Sequence, residues 1–118
     1  MSNFAASGSE STVVITRCGT QVLKMKPAEV EKATKAIGIA LQMETLDTIP
    51  SHITNTPFVV RFFENDQLAL ERADTAGSVS FSWTEGDELI NALNIGLKIA
   101  INAKVNRHRS LKPIRRTN

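Results

Sequence analysis

The last third of the chain joins a short alternating segment to a long apolar one. Between Ser78 and Trp83 every second side chain is bulky and apolar and serines stand between them, which predicts a strand with one buried face. Thr84 then fits a helix N-cap, with Asp87 in the capping-box position. We therefore predict a strand that runs directly into a C-terminal helix.

The predicted C-terminal helix is apolar over most of its circumference. A helix of this kind is buried on two sides. In a chain of 118 residues we expect one side to cover the chain's own sheet and the other to contact a second copy. The polar positions form one narrow stripe: Asp87, Asn91, Asn94, Lys98 and Asn102. The residues expected at the oligomer interface are Ile90, Leu97, Ile101 and Val105.

The first half of the chain predicts a β-hairpin followed by a helix. Residues 12–17 and 21–25 are rich in β-branched and other apolar side chains and are joined by a short turn. Pro27 suits the first position of a helix, and apolar residues then recur at helical spacing until Pro50. Gly38 inside this helix indicates a close approach by another element. The sequence shows no internal repeat, although each half is a set of strands followed by a helix.

A meander is predicted in the second half. Residues 58–64, 67–72 and 78–83 alternate between apolar and polar side chains and are joined by short polar turns. If the other aromatic residues point inward, Arg61 and Phe63 lie on the outward face, although Phe63 could equally pack under the first helix. The predicted order is β-β-α-β-β-β-α: a β-hairpin, a helix, a three-stranded antiparallel meander and a long C-terminal helix, which is an α+β fold.

One domain with two terminal arms is expected. Residues 1–11 are small and polar and predict a flexible arm, residues 12–106 a single α+β domain, and residues 107–118 a basic arm. No apolar run approaches the roughly 18–20 residues that span a membrane. The N-terminus lacks the basic and apolar regions of a signal peptide. We expect a cytoplasmic protein, or a virion protein under the second hypothesis below.

Charge is distributed unevenly along the chain. Residues 1–88 contain seven basic and all twelve acidic residues, whereas residues 89–118 contain seven basic residues and no acidic one. A basic end on an acidic body indicates an anionic partner: nucleic acid, a membrane surface or an acidic patch on a neighbouring subunit. A solvated tail is the structural alternative. The residues expected to contact phosphates are Lys104, Arg107, Arg109, Lys112, Arg115 and Arg116.

Catalytic and metal-binding signatures are absent from the sequence. Cys18 is the only cysteine, and with two histidines and no paired spacing the chain does not match a zinc site. Cys18 could act as a nucleophile with His52 or His108 as its base, but a lone cysteine in a hairpin turn is more often structural. The acidic residues of the segment Glu85–Glu88 are explained by the helix dipole. We predict a protein that is not an enzyme and that binds no cofactor or metal.

The segment Val79–Ile90, in which the last strand of the meander enters a capped helix, resembles the PC4 and Whirly-like single-stranded nucleic-acid-binding proteins. The resemblance covers about residues 58–105 and rests on element order and patterning. It implies that the C-terminal helix mediates dimerisation or subunit packing, and that the sheet and the basic arms hold the nucleic acid. The residues expected to bind on the sheet are Arg61, Phe63 and Arg72.

Two functional hypotheses follow. The first is a non-catalytic nucleic-acid-binding protein, specific for single strands but not for sequence, that acts as a homo-oligomer. An outward aromatic residue beside an arginine is typical of surfaces that stack single-stranded bases. The second is a structural subunit of a larger assembly, such as a phage or virus particle, in which both tails are arms between subunits. Neither hypothesis includes a small-molecule substrate.

Overall fold

The computed structural model describes residues 3–111, with side chains to residue 107. Within this range two antiparallel sheets and two helices form an α+β fold, and this confirms the predicted fold class. Sheet A contains β1 (Phe4–Gly8), β2 (Val13–Arg17) and β3 (Thr20–Met25) in the order β1-β2-β3. Sheet B contains β4 (His52–Asn55), β5 (Phe58–Phe63), β6 (Gln67–Arg72) and β7 (Ser78–Ser82), also in chain order. The helices are α1 (Val30–Gln42) and α2 (Gly86–Leu111).

Three of the predicted boundaries are wrong. Residues Phe4–Gly8, expected in a flexible arm, form β1 and pair with β2 along their whole length. His52–Asn55, expected in a loop, form β4 at the edge of sheet B. Helix α2 continues to Leu111, past the predicted end of the domain at residue 106. Short polar strands carry little hydrophobic pattern, so they become strands only because a neighbouring strand pairs with them.

Each helix covers the sheet of the other half of the chain. Helix α1 packs on β4 and β5, helix α2 packs on β1 and β2, and the two helices contact each other. The approach of α2 to sheet A is close, since a Cβ added to Gly96 would lie 2.6 Å from Val13 and 3.1 Å from Ala6. A Cβ added to Gly38 would meet nothing within 4 Å, so the expectation of a close approach at Gly38 was wrong.

The two halves repeat the same structure. The buried side chains of the two sheets occupy corresponding positions. Val13 is opposite Met25 in sheet A, and in the same way Leu68 is opposite Phe81 in sheet B. All four side chains are at most 3% exposed. Corresponding residues lie 54 to 56 positions apart, and both halves end in a helix preceded by a short 3-10 turn. The chain therefore contains an internal structural repeat, contrary to our interpretation of the sequence.

A glutamate begins each helix in the same way. In the turn before α1, the Lys26 backbone N–H donates to the Glu29 carboxylate at 2.8 Å. In the turn before α2, the Ser82 N–H donates to Glu85 at 2.9 Å. The cap of α2 is thus formed by Ser82 and Glu85 rather than by the predicted Thr84 and Asp87, because the 3-10 turn starts the helical path two residues earlier.

Candidate nucleic-acid and subunit interfaces

Arg72, predicted to bind nucleic acid, is held by two carboxylates inside the chain. Its guanidinium donates to Glu29 at 2.8 and 3.0 Å and to Asp74 at 2.9 Å, and it lies over the Phe58 ring, 5.3 Å from the ring centroid. The side chain is only 11% exposed. Hydrogen bonds from Arg72 hold the pKa values of Glu29 and Asp74 below their usual range, and these carboxylates raise the pKa of Arg72. Arg72 is therefore not available to a phosphate.

Arg17 occupies the corresponding position in the first half. It lies over the Phe4 ring at 4.8 Å, donates to the Ser80 carbonyl at 3.0 Å and pairs with Glu85 at 3.4 Å. Burial would raise the pKa of Glu85, but hydrogen bonds from the Ser82 N–H and the Asn3 amide, together with the charge of Arg17, lower it. We call these clusters the Arg17 unit (Phe4, Arg17, Glu85) and the Arg72 unit (Phe58, Arg72, Glu29). Each one ties a sheet of one half to the helix of the other.

The outward face of sheet B carries Arg61 and Phe63, as predicted. Arg61 is opposite Ala69, which is opposite Ser80 on β7, so this row of the sheet carries no large apolar side chain. Phe63 is 54% exposed, which rules out the alternative that it packs under α1. Arg61 pairs with Glu71 at 2.8 Å, but its side chain is 48% exposed. An exposed ion pair contributes little, about 0–1 kcal/mol, so the guanidinium can exchange Glu71 for another anion.

An aromatic cavity of about 360 Å³ adjoins this face. Phe62 and Trp83 stack there with their ring centroids 5.8 Å apart, and Phe63 lies on the rim. Glu64 and Asp66 also line the cavity. The aromatic rings suit base stacking, whereas the two carboxylates oppose a phosphate at the same point.

The basic end of α2 lies far from the sheet face. Lys98 and Lys104 are exposed, and in the described part of the chain neither forms an ion pair; Arg107 pairs with Glu10. Helix α2 begins three residues after Trp83 and is 26 residues long, which corresponds to about 39 Å. One copy therefore does not bring the two parts of the predicted interface together. The other predicted phosphate contacts lie outside the described side chains: Arg109, Lys112, Arg115 and Arg116.

Helix α2 exposes apolar residues on both sides of its polar stripe. Of the predicted interface residues, Ile90 and Leu97 pack against the chain's own core, whereas Ile101 and Val105 are 51% and 42% exposed. We call the latter pair the Ile101 flank. On the other side of the stripe, Ile95 and Ile99 are 55% and 37% exposed and form the Ile95 flank. The prediction missed the Ile95 flank, although the spacing of four residues between Ile95 and Ile99 was visible in the sequence.

The residues weighed for catalysis form no site in the described range. Cys18 is exposed in the turn between β2 and β3, and His52 shares a 3.0 Å hydrogen bond with the hydroxyl of Ser51. No group of three or more acidic, histidine or cysteine side chains that could hold a metal occurs among the described residues. His108 lies beyond the described side chains. None of the described helices is long and apolar enough to cross a membrane.

Comparison with protein-family models, curated proteins and solved structures found no match for this chain. The resemblance to PC4 and Whirly-like proteins therefore stays a prediction.

Proposed function

We propose that the protein is a non-catalytic nucleic-acid-binding protein that acts as a homo-oligomer. The observation that carries this proposal is the placement of the basic segment. After its first turn, helix α2 carries basic residues and no acidic one, whereas residues 1–88 contain all twelve acidic residues of the chain. Such a segment contacts phosphates through charge and is insensitive to base sequence.

The outward face of sheet B supplies the second contact in this proposal. Phe63 stacks a base, and Arg61 exchanges Glu71 for a phosphate. Arg72 takes no part because its donors are occupied by Glu29 and Asp74. Since the basic end and the sheet face of one copy lie at opposite ends of α2, a short strand contacts both only when it bridges two copies. Oligomerisation is therefore part of the binding mechanism.

Binding of a single-stranded oligonucleotide at several salt concentrations tests the phosphate contacts. Lys104→Gln/Arg109→Gln should weaken binding and reduce the slope of log affinity against log salt by about 0.7 for each phosphate that is no longer neutralised. The matched control, Lys32→Gln/Lys35→Gln, removes two exposed charges from α1 and should leave the slope unchanged. Absence of binding by the unmodified protein at low salt, or equal weakening in both variants, contradicts the proposal.

The sheet contact has its own readout. Trp83 is the only tryptophan and lines the same cavity as Phe63, so a base stacked on Phe63 should change the tryptophan fluorescence. Phe63→Ala should cost about 1–3 kcal/mol of binding free energy without changing the salt slope. An unchanged affinity in this variant would restrict the interface to the basic end of α2.

A second candidate is a structural subunit of a larger assembly, such as a phage or virus particle. It is favoured by the separation of the Ile95 and Ile101 flanks, because one self-complementary interface closes a dimer and two interfaces build larger assemblies. Light scattering after size exclusion distinguishes the candidates. Large particles of defined size that form without nucleic acid support this second candidate, and a dimer or tetramer supports the first.

A further inference from the structure

One strand has no counterpart in the internal repeat. Sheet B has β4 on the outer edge of β5, and β4 lies against α1, where the Asn55 side-chain amide donates to the Lys32 carbonyl at 3.0 Å. Ile39 and Met43 lie seven and eleven residues after Lys32, on the same side of the helix, and both are half-buried. The strand β4 therefore covers one flank of α1.

The corresponding surface in the other half is uncovered. Ile39 of α1 and Met43, in the 3-10 turn that directly follows α1, correspond to Ile95 and Ile99 of α2, each 56 positions later. Ile95 and Ile99 are 55% and 37% exposed. Strand β1, the counterpart of β5, pairs only with β2 within the described part of the chain. The outer edge of β1 and the Ile95 flank thus form an uncovered surface. It corresponds to the surface of β5 and α1 that β4 covers in the other half.

We propose that this surface binds β1 of a second copy. The two β1 strands pair antiparallel across a two-fold axis, the two copies of sheet A join into one six-stranded sheet, and the Ile95 flanks of the two α2 helices meet. This inference rests on the self-association in our proposed function and is independent of its nucleic-acid contacts.

The backbone of β1 has donors for such pairing. The Cys18 N–H donates to the Asn3 carbonyl at 2.8 Å and the Ser9 N–H to the Thr12 carbonyl at 2.7 Å, at the two ends of the β1-β2 pair. In an antiparallel pair the bonded residues alternate, so Ala5 and Ser7 also bond to β2. The N–H groups of Ala6 and Gly8 consequently face the outer edge.

Charge favours a second copy as the occupant. A two-fold contact places each surface against itself, so like charges on the surface would oppose it. Residues Phe4–Gly8 carry no charged side chain, and Ile95 and Ile99 are apolar. Edge strands that stay unpaired usually carry charges or proline that block pairing, and β1 has neither.

Analytical ultracentrifugation of the full chain tests the helix part of the interface. Ile95→Glu places two carboxylates against each other at the axis and should weaken the dimer by at least about 100-fold. The matched control is Leu46→Glu, since Leu46 is 48% exposed but lies in neither α2 nor β1, and this variant should remain a dimer. Circular dichroism confirms that both variants are folded. A monomeric unmodified protein, a dimeric Ile95→Glu variant or equal weakening in the two variants overturns the proposal.

Hydrogen exchange on the unmodified protein tests the strand part and needs no variant. The amides of Ala6 and Gly8 should exchange slowly at concentrations where the dimer forms and rapidly on dilution, whereas the Ala5 and Ser7 amides, bonded to β2, should change less. Concentration-independent exchange at Ala6 and Gly8 overturns the proposal even if a dimer forms by another surface. A dimer that binds no oligonucleotide would contradict the proposed function but not this interface. A monomer that binds one would contradict this interface and the oligomeric part of the proposed function, but not its nucleic-acid contacts.

Discussion

The two halves of the molecule use the same parts to different ends. In both, an arginine at the end of a strand stacks on a phenylalanine and pairs with the glutamate that begins the other half's helix. In the second half a fourth strand closes the sheet edge, and in the first half that edge is open within the described residues. The arginine units, which both halves share, hold the fold together. We therefore expect an interaction surface at the sheet edge, where the two halves differ.

The strongest test of this comparison concerns the corresponding core residues Ile37 and Leu93. Both are fully buried, one in each helix, 56 positions apart. Replacing either with alanine should lower the free energy of unfolding by about 2–5 kcal/mol. Because each helix covers the other half's sheet, both variants should unfold in one transition, measured in urea by circular dichroism and Trp83 fluorescence. Two separate transitions would show that the halves are independent units.

Removing the arginines compares the two arginine units directly. Arg72→Ala leaves Glu29 without its partner in a poorly exposed site and should cost about 2–3 kcal/mol of unfolding free energy. Arg17→Ala should cost less, about 1 kcal/mol, because its bonds to Glu85 are 3.4 Å long and its side chain is 27% exposed. Arg61→Ala, which breaks an exposed pair, is the control and should cost about 0–1 kcal/mol. A smaller loss of unfolding free energy for Arg72→Ala than for Arg61→Ala would mean that the Arg72 unit does not stabilise the fold.

The elements with strong patterns could be predicted from the sequence. The meander, the first helix and the long apolar α2 followed from alternation and helical spacing. Strand β1 could not, because small residues such as Ala5 and Ser7 carry little strand pattern of their own and are placed there by their contacts with β2 and α2. The repeat was also hidden, since its shared residues are a phenylalanine, an arginine and a glutamate separated by about a dozen positions in each half.

The candidate site was predictable only in part. The outward orientation of Phe63 followed from strand periodicity. The occupation of Arg72 did not, because its partner Glu29 is 43 positions away and the two meet only when α1 crosses to sheet B. Local sequence identifies charged residues, whereas tertiary structure decides which of them remain free.

A further contrast is the small residue where each helix approaches a sheet. Helix α1 has Ala40 at the position that corresponds to Gly96 of α2. Gly96→Ala should cost about 1–3 kcal/mol, because the added Cβ would lie 2.6 Å from Val13 and the helix must move away from β1. Thermal unfolding measures this cost. An unchanged stability would mean that α2 and β1 are less tightly packed than α1 and β5.

Acid should weaken both arginine units. The pKa values of Glu29 and Glu85 are lowered in the folded protein, so their pairs stabilise it fully above the ordinary glutamate pKa of about 4.5. That contribution is lost as the pH falls through the lowered values. Glu29→Gln, which keeps an oxygen for the Lys26 N–H, should reduce the dependence of unfolding free energy on pH. Glu31→Gln, on an exposed side of α1, is the control, and an equal reduction there would contradict the assignment.

The smallest expected effect is a gain in stability at Gly38. This glycine costs backbone entropy in the middle of α1, and an added Cβ would meet nothing within 4 Å. Gly38→Ala should therefore raise the free energy of unfolding by about 0.5–1 kcal/mol, the opposite sign to the same change at Gly96. The two substitutions are chemically identical and both lie in helices, so only the distance to a neighbouring strand distinguishes them. Destabilisation at Gly38 would mean that another molecule covers this side of α1. The contact surface would then not be confined to α2 and β1.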